Sequence, residues 1–148
     1  MQLHLDGSNI MKSPQNKVYA LLTDAHFIAK ALPDASDVHV FDAQSLEATI
    51  KLRVAVVSSA MKVKMTIART APTSKATLVA EGTGSGSSMK VTSLFELSGD
   101  APTSMHWSAD AEITGVMAGL GSSLLKGFAA KKVAEIFEGI TKAVEAAS

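Results

Sequence analysis

Apolar and polar residues alternate almost without a break through long stretches between positions 45 and 114. Leu46, Ala48, Ile50, Leu52 and Val54 are interleaved with Glu47, Thr49, Lys51 and Arg53. Met61, Val63, Met65 and Ile67 are interleaved with Lys62, Lys64, Thr66 and Ala68. Leu78 and Ala80 continue the period, as do Met89, Val91, Ser93, Phe95 and Leu97. Met105, Trp107, Ala109, Ala111 and Ile113 complete it, against His106, Ser108, Asp110 and Glu112. A period of two gives each strand one apolar face and one wet face, the pattern of antiparallel pairing. Turn-forming clusters separate the runs: Asp42-Ala43-Gln44, Ala71-Pro72-Thr73, Gly82 to Ser88, and Gly99-Asp100-Ala101-Pro102. None has room for a crossover helix, so the sheet is a meander.

The flanks have a different rhythm. Residues 2–11 read as an opening strand in which Gly7-Ser8-Asn9 interrupts the alternation. Ser13-Pro14 reads as a hydroxyl N-cap with proline at the first helical position, and Val18, Leu21 and Leu22 give the helix an apolar side. Asp24 caps a second short helix, 25–32, with Phe27, Ile28 and Leu32 inward. Leu32-Pro33-Asp34 ends it, because the residue before proline is pushed out of the helical region. After Gly115, Met117, Leu120, Leu124, Phe128, Ile136, Ile140 and Val144 recur mostly three or four residues apart, with a longer gap at Lys131-Lys132. That spacing predicts one amphipathic helix over 116–145, about 45 Å long. The fold class is therefore α+β: a strand, two short helices, six further strands and a long C-terminal helix. A twisted sheet of seven strands curls, and a helix laid in its hollow encloses a space. With no repeat or linker, residues 1–148 are expected to form a single domain.

Composition excludes several functions. Fourteen Lys and Arg balance fourteen Asp and Glu with no dense basic cluster, so no nucleic-acid partner is expected. The absence of cysteine excludes disulfides, thiolate metal sites and a cysteine nucleophile, and fits a reducing cytoplasm. The N-terminus lacks the pattern of a signal peptide, and the apolar stretch from Ile113 to Leu125 is broken by glycines and serines. At most, peripheral membrane contact is expected.

Catalytic patterns are sparse. His4, His26, His39 and His106 have no second ligand at a metal-binding spacing, so neither a metal nor another cofactor is expected. His106 shares a wet strand face with Asp110 and Glu112 and reads as an exposed histidine rather than a general base. Asp6, Asp24, Asp34, Asp37 and Asp42 fall in loops and caps, where aspartate serves the backbone. The run Gly82-Thr83-Gly84-Ser85-Gly86-Ser87-Ser88 leads into a strand and lacks a following lysine. It therefore reads as a strand connection, placed to border a cavity mouth, and not as a phosphate loop.

The inward positions say more. Met61, Met65, Met89, Met105 and Met117 all fall on the apolar face. Methionine is either filler in a packed core or the wall of a pliable pocket. Small residues at Ala55, Ala60, Ala80, Ser93, Ala109 and Ala111 favour the pocket, as does the scarcity of large rings: one Trp, one Tyr and five Phe. The expected walls are Phe27 from the second helix and Leu52, Val54, Met61, Val63 and Met65 from the first half of the sheet. Leu78, Met89, Val91, Met105, Trp107 and Ala109 come from the second half, and Met117, Leu120, Leu124 and Phe128 from the long helix. No catalytic residue stands among them, and the expected function is non-enzymatic binding or delivery of an apolar small molecule. A cyclase-like enzyme with a buried, pKa-shifted acid or base, and a structural accessory protein with a closed interior, stay open beside it.

Several local sequences carry a family likeness: Val18-Tyr19-Ala20-Leu21-Leu22-Thr23-Asp24, Ala31-Leu32-Pro33-Asp34, Glu81-Gly82-Thr83-Gly84 and Ile113-Thr114-Gly115-Val116-Met117-Ala118-Gly119-Leu120-Gly121. With the element order, they resemble the START/Bet v 1-like (SRPBCC) superfamily and its helix-grip fold, and within it the CoxG family of carbon monoxide dehydrogenase subunits. Tyr19 and Asp34 stand where that family usually has Trp and Gly. The resemblance implies a small cytoplasmic accessory protein of a molybdenum-type dehydrogenase. Its cargo would be an apolar molecule such as a quinone or a lipid, and the open alternative would be a polyketide-cyclase-like enzyme.

Overall fold

Seven strands form one sheet: β1 (Gln2–Met11), β2 (Ala35–Asp42), β3 (Ser45–Val54), β4 (Val57–Ala71), β5 (Lys75–Gly84), β6 (Ser87–Ser98) and β7 (Thr103–Gly115). Their spatial order is β1-β7-β6-β5-β4-β3-β2, and every neighbouring pair is antiparallel. The computed structural model describes residues 1–32, 35–54, 57–71, 74–84 and 86–147, and among these not the side chains of residues 54, 57, 59 and 71. The meander closes on itself in one respect: the N-terminal strand β1 pairs with the last strand, β7, through ten residue pairs from Gln2↔Glu112 to Met11↔Thr103.

The helices follow from local chemistry. The helix α1 (Gln15–Leu22) begins one residue later than the sequence suggests, with Pro14 as the cap residue. Asp100, from the turn between β6 and β7, accepts a hydrogen bond from the Gln15 N–H at 3.0 Å. Tyr19 fixes α1 to the sheet: its hydroxyl donates to the Lys75 carbonyl at 2.9 Å, and its ring meets Phe95 edge-on at 6.4 Å. In α2 (Ala25–Ala31), the Asp24 side chain accepts from the His26 N–H, the expected cap.

The predicted helix 116–145 is two elements. Val116–Leu120 form a 3-10 turn and Ser122–Ala146 the helix α3. Glycines mark both junctions: Gly115 has φ +89° and Gly121 has φ +94°, a region side chains disfavour. At Gly115 a Cβ would also stand 2.1 Å from the Gly86 carbonyl oxygen. The 3-10 turn is tied to the β5–β6 connection by Val116 N–H to the Gly86 carbonyl (3.1 Å) and Met117 N–H to Ser87 Oγ (3.0 Å). That connection is shorter than the glycine-serine run suggests, since Gly82–Gly84 and Ser87–Ser88 are strand residues. The turn expected at Ala71-Pro72-Thr73 lies largely outside the described residues.

Two anchors hold α3 over the sheet, Leu125 (1% exposed) near its start and Ile140 (5%) and Val144 (0%) near its end. Between Leu125 and Ile140 no residue is fully buried. At 1.5 Å per residue that is roughly 22 Å of helix whose inward face is only half-buried. A helix lying on a filled core would bury that face.

Candidate functional site

The space beneath this stretch of α3 is a cavity of about 220 Å³. Its floor explains its existence. Across the sheet, Leu5, Ala109, Ser93 and Leu78 stand side by side in register, next to the row Leu3, Ala111, Val91 and Ala80. Small side chains at Ala109, Ser93, Ala111 and Ala80 lower the centre of the floor, so a helix supported at its ends cannot reach it. Interiors are otherwise packed to crystal-like density, so a void of this size is a built feature.

Five methionines, Met61, Met65, Met89, Met105 and Met117, line the cavity. Leu52, Val63, Leu78, Val91, Trp107 and Ala109 stand with them, as the alternation of the strands requires, together with Phe128 of α3. Lining residues not named as walls from the sequence include Leu22 of α1, Ile28 of α2 and Leu32 just after it, and Ala129, Lys132, Val133, Ile136 and Phe137 of α3.

Three expected wall positions differ. Leu124 is 44% exposed and points to solvent. In one continuous helix it would share a face with Met117, but the break at Gly121 resets the phase and turns Leu125 inward instead. Leu120 and Phe27 are half-buried against the core cluster without bordering the cavity. A further expected wall, the Val54 side chain, and the small residue Ala55 lie outside the described part of the structure. Ala60, counted among the small inward residues, is exposed because it alternates with the buried Met61.

One wall is built around the single tryptophan. The Trp107 ring lies parallel to Phe137 of α3, with centroids 4.6 Å apart and planes 16° apart. Its indole N–H donates to Asn9 Oδ1 at 3.2 Å. Gly7 is its direct cross-strand partner, and a Cβ there would stand 2.6 Å from the Trp107 ring. Gly7 and Asn9, which interrupt the alternation of β1, thus seat the indole. Sequence reading missed this because the partners are a hundred positions apart.

The polar inventory of the cavity is short. Ser93 Oγ makes no hydrogen bond among the described residues. Lys132 is the one charged side chain among the described lining residues. The histidines lie elsewhere. His4 Nδ1 is 2.6 Å from Asp110 and its Nε2 3.4 Å from Asp6, both on the outer face of the sheet. The hydrogen bond to Asp110 raises the His4 pKa above its ordinary value. His106 is exposed, opposite Glu96 on the same outer face. Among the described residues no group of His, Asp and Glu is arranged to hold a metal ion, and no helix is long and apolar enough to cross a membrane.

The same architecture occurs in proteins of very different sequence. A conserved protein from Geobacillus kaustophilus superposes with a TM-score of 0.84 at 20% identity, covering 96% of this chain and 95% of that one. A START superfamily protein from Mycobacterium smegmatis gives 0.75 at 10% identity, covering 98% and 99%. The Zhui aromatase/cyclase from Streptomyces sp. R1128 gives 0.66 at 10% identity, covering 98% and 94%. No curated protein matches the sequence. At these identities the likeness establishes the helix-grip fold of the START/Bet v 1-like superfamily. The sequence is more specific: residues 7–145 match the family model of the carbon monoxide dehydrogenase subunit CoxG. Sheet, cavity and sequence match agree, and the chain belongs to the CoxG family.

Proposed function

We propose that this protein binds an apolar small molecule, quinone- or lipid-like, in the cavity under α3 and carries it without transforming it. The carrying observation is the chemistry of the walls: methionines and aliphatic residues around a void of about 220 Å³. A cavity of about 150 Å³ accepts a benzene ring. This one has room for a fused ring pair or a medium-length chain, and flexible methionines let it adapt. Transformation would need an acid or base at the ligand, and the described walls offer two serines, Ser88 and Ser93, and one lysine. Membership of the CoxG family supports an accessory role beside a carbon monoxide dehydrogenase-type molybdenum enzyme, with the cavity as the carrier.

Mass spectrometry of solvent extracts from the purified native protein tests the first part. A stoichiometric apolar compound is expected. Protein without extractable ligand, together with a flat melting temperature across quinones, fatty acids and isoprenoids, would refute it. A ligand at 100 times its Kd should add ~2.7 kcal/mol, a rise of roughly 5–10 °C. Chemical change of an extracted or added ligand during incubation would favour the cyclase-like alternative.

A further inference from the structure

Lys132 is out of place in an apolar wall. Its side chain is 19% exposed, so it borders both the cavity and solvent. At about 100° per residue, it lies within roughly 40° of Leu125 and Ile136 around the α3 axis, squarely on the inward stripe. Phe137, stacked on Trp107, is about 140° away, on the edge turned toward β7. Lys132 therefore lies away from the Trp107–Phe137 stack, lining the cavity while part of its side chain stays exposed. The carboxylate of Glu135, 46% exposed, lies one turn along the helix at 3.6 Å from its ammonium. A lysine can line apolar surface with its stem while its ammonium reaches water. Here that places one partly desolvated positive charge at the rim of an otherwise apolar container.

We infer that the ligand is an amphipathic acid, whose apolar body fills the cavity and whose carboxylate is received by Lys132 at the rim. This rests on the proposed binding role and narrows it from apolar molecules in general to those with an anionic head. A carboxylate beside the ammonium of a partly buried lysine gains a charge-assisted hydrogen bond that an ester of the same length cannot replace.

The test uses decanoic acid, methyl decanoate and decanol as probes, with Trp107 fluorescence in the native full-length protein as the reading. Decanoate should bind roughly 10-fold more tightly than the ester, about 1.4 kcal/mol. Lys132→Met, which keeps the stem, should abolish that preference and leave the ester affinity within about twofold. Lys132→Arg should keep most of the preference, and Glu135→Gln should sharpen it by removing a competing carboxylate. Equal binding of acid and ester by the unaltered protein overturns the head-group assignment while leaving the carrier role standing. A preference that survives in Lys132→Met does the same. Failure of all three probes counts against the carrier role itself.

Discussion

Replacing Ala109 by tryptophan separates a container from a packed core most sharply. Ala109 is 5% exposed, borders the cavity, and stands between Leu5 and Ser93 in the lowest part of its floor. An indole buries on the order of 150–250 Å², worth ~4–6 kcal/mol of transfer free energy at about 25 cal/mol per Å². In a filled core this gain is unreachable, and overpacking costs typically 1–3 kcal/mol. In a void of about 220 Å³ the ring has room. Imperfect fit and lost rotamer freedom consume much of the gain, leaving roughly 0–2 kcal/mol in favour of the variant. Scanning calorimetry should therefore show an unchanged melting temperature or a rise of up to roughly 8 °C. Isothermal titration with the extracted ligand should show binding lost. A melting temperature lowered by several degrees, with ligand affinity intact, would refute both the location of the cavity and its emptiness.

Three further outcomes follow from specific contacts. Gly7→Ala puts a methyl group 2.6 Å from the Trp107 ring, which Asn9 and Phe137 hold in place; it should cost about 1–3 kcal/mol in denaturant unfolding and change the indole emission, and no change in either would undo the seating argument. Gly115→Ala should destabilise more than Gly121→Ala, since both have positive φ but only the first drives its Cβ into a backbone oxygen; equal losses by calorimetry would contradict that ranking. His4, hydrogen-bonded to Asp110, should titrate by NMR above its ordinary value of 6.5 and fall back toward it in Asp110→Asn. Because the folded value is raised, any stability this pair contributes is present below the unfolded pKa and disappears as pH rises through the folded one.

The strands were legible because a period of two needs only local sequence: every inward position from Leu46 to Leu52 and from Met105 to Ile113 follows it. The cavity was half legible. Methionines and alanines on inward positions announce a loosely filled interior, and the strand methionines line it together with Ala80, Ala109 and Ala111. What failed was phase across a break. Gly119 and Gly121 sit inside an apolar pattern that reads as unbroken helix, yet the chain breaks at the positive φ of Gly121, and in the first turn of α3 Leu125 rather than Leu124 is buried. The Trp107 seat was hidden for another reason, since only the register of β1 on β7 brings Gly7 and Asn9 to it. Lys132 was visible only as a gap in the apolar spacing.

A floor made of separate strands has a consequence for how such a protein diversifies. The backbone ladder fixes the sheet, and alternate side chains project from it into empty space. In a dense core each residue touches many others, so one exchange forces several more. Above Ala109 and Ser93 there is a void, and an exchange there alters the shape of the void before it disturbs a neighbour. The floor of the cavity is therefore the most freely editable part of the interior, while constraint concentrates at points such as Gly7 and Gly115 where a ring or a backbone oxygen comes too close for any added atom. New cargo can be accommodated one side chain at a time, with the scaffold inherited unchanged.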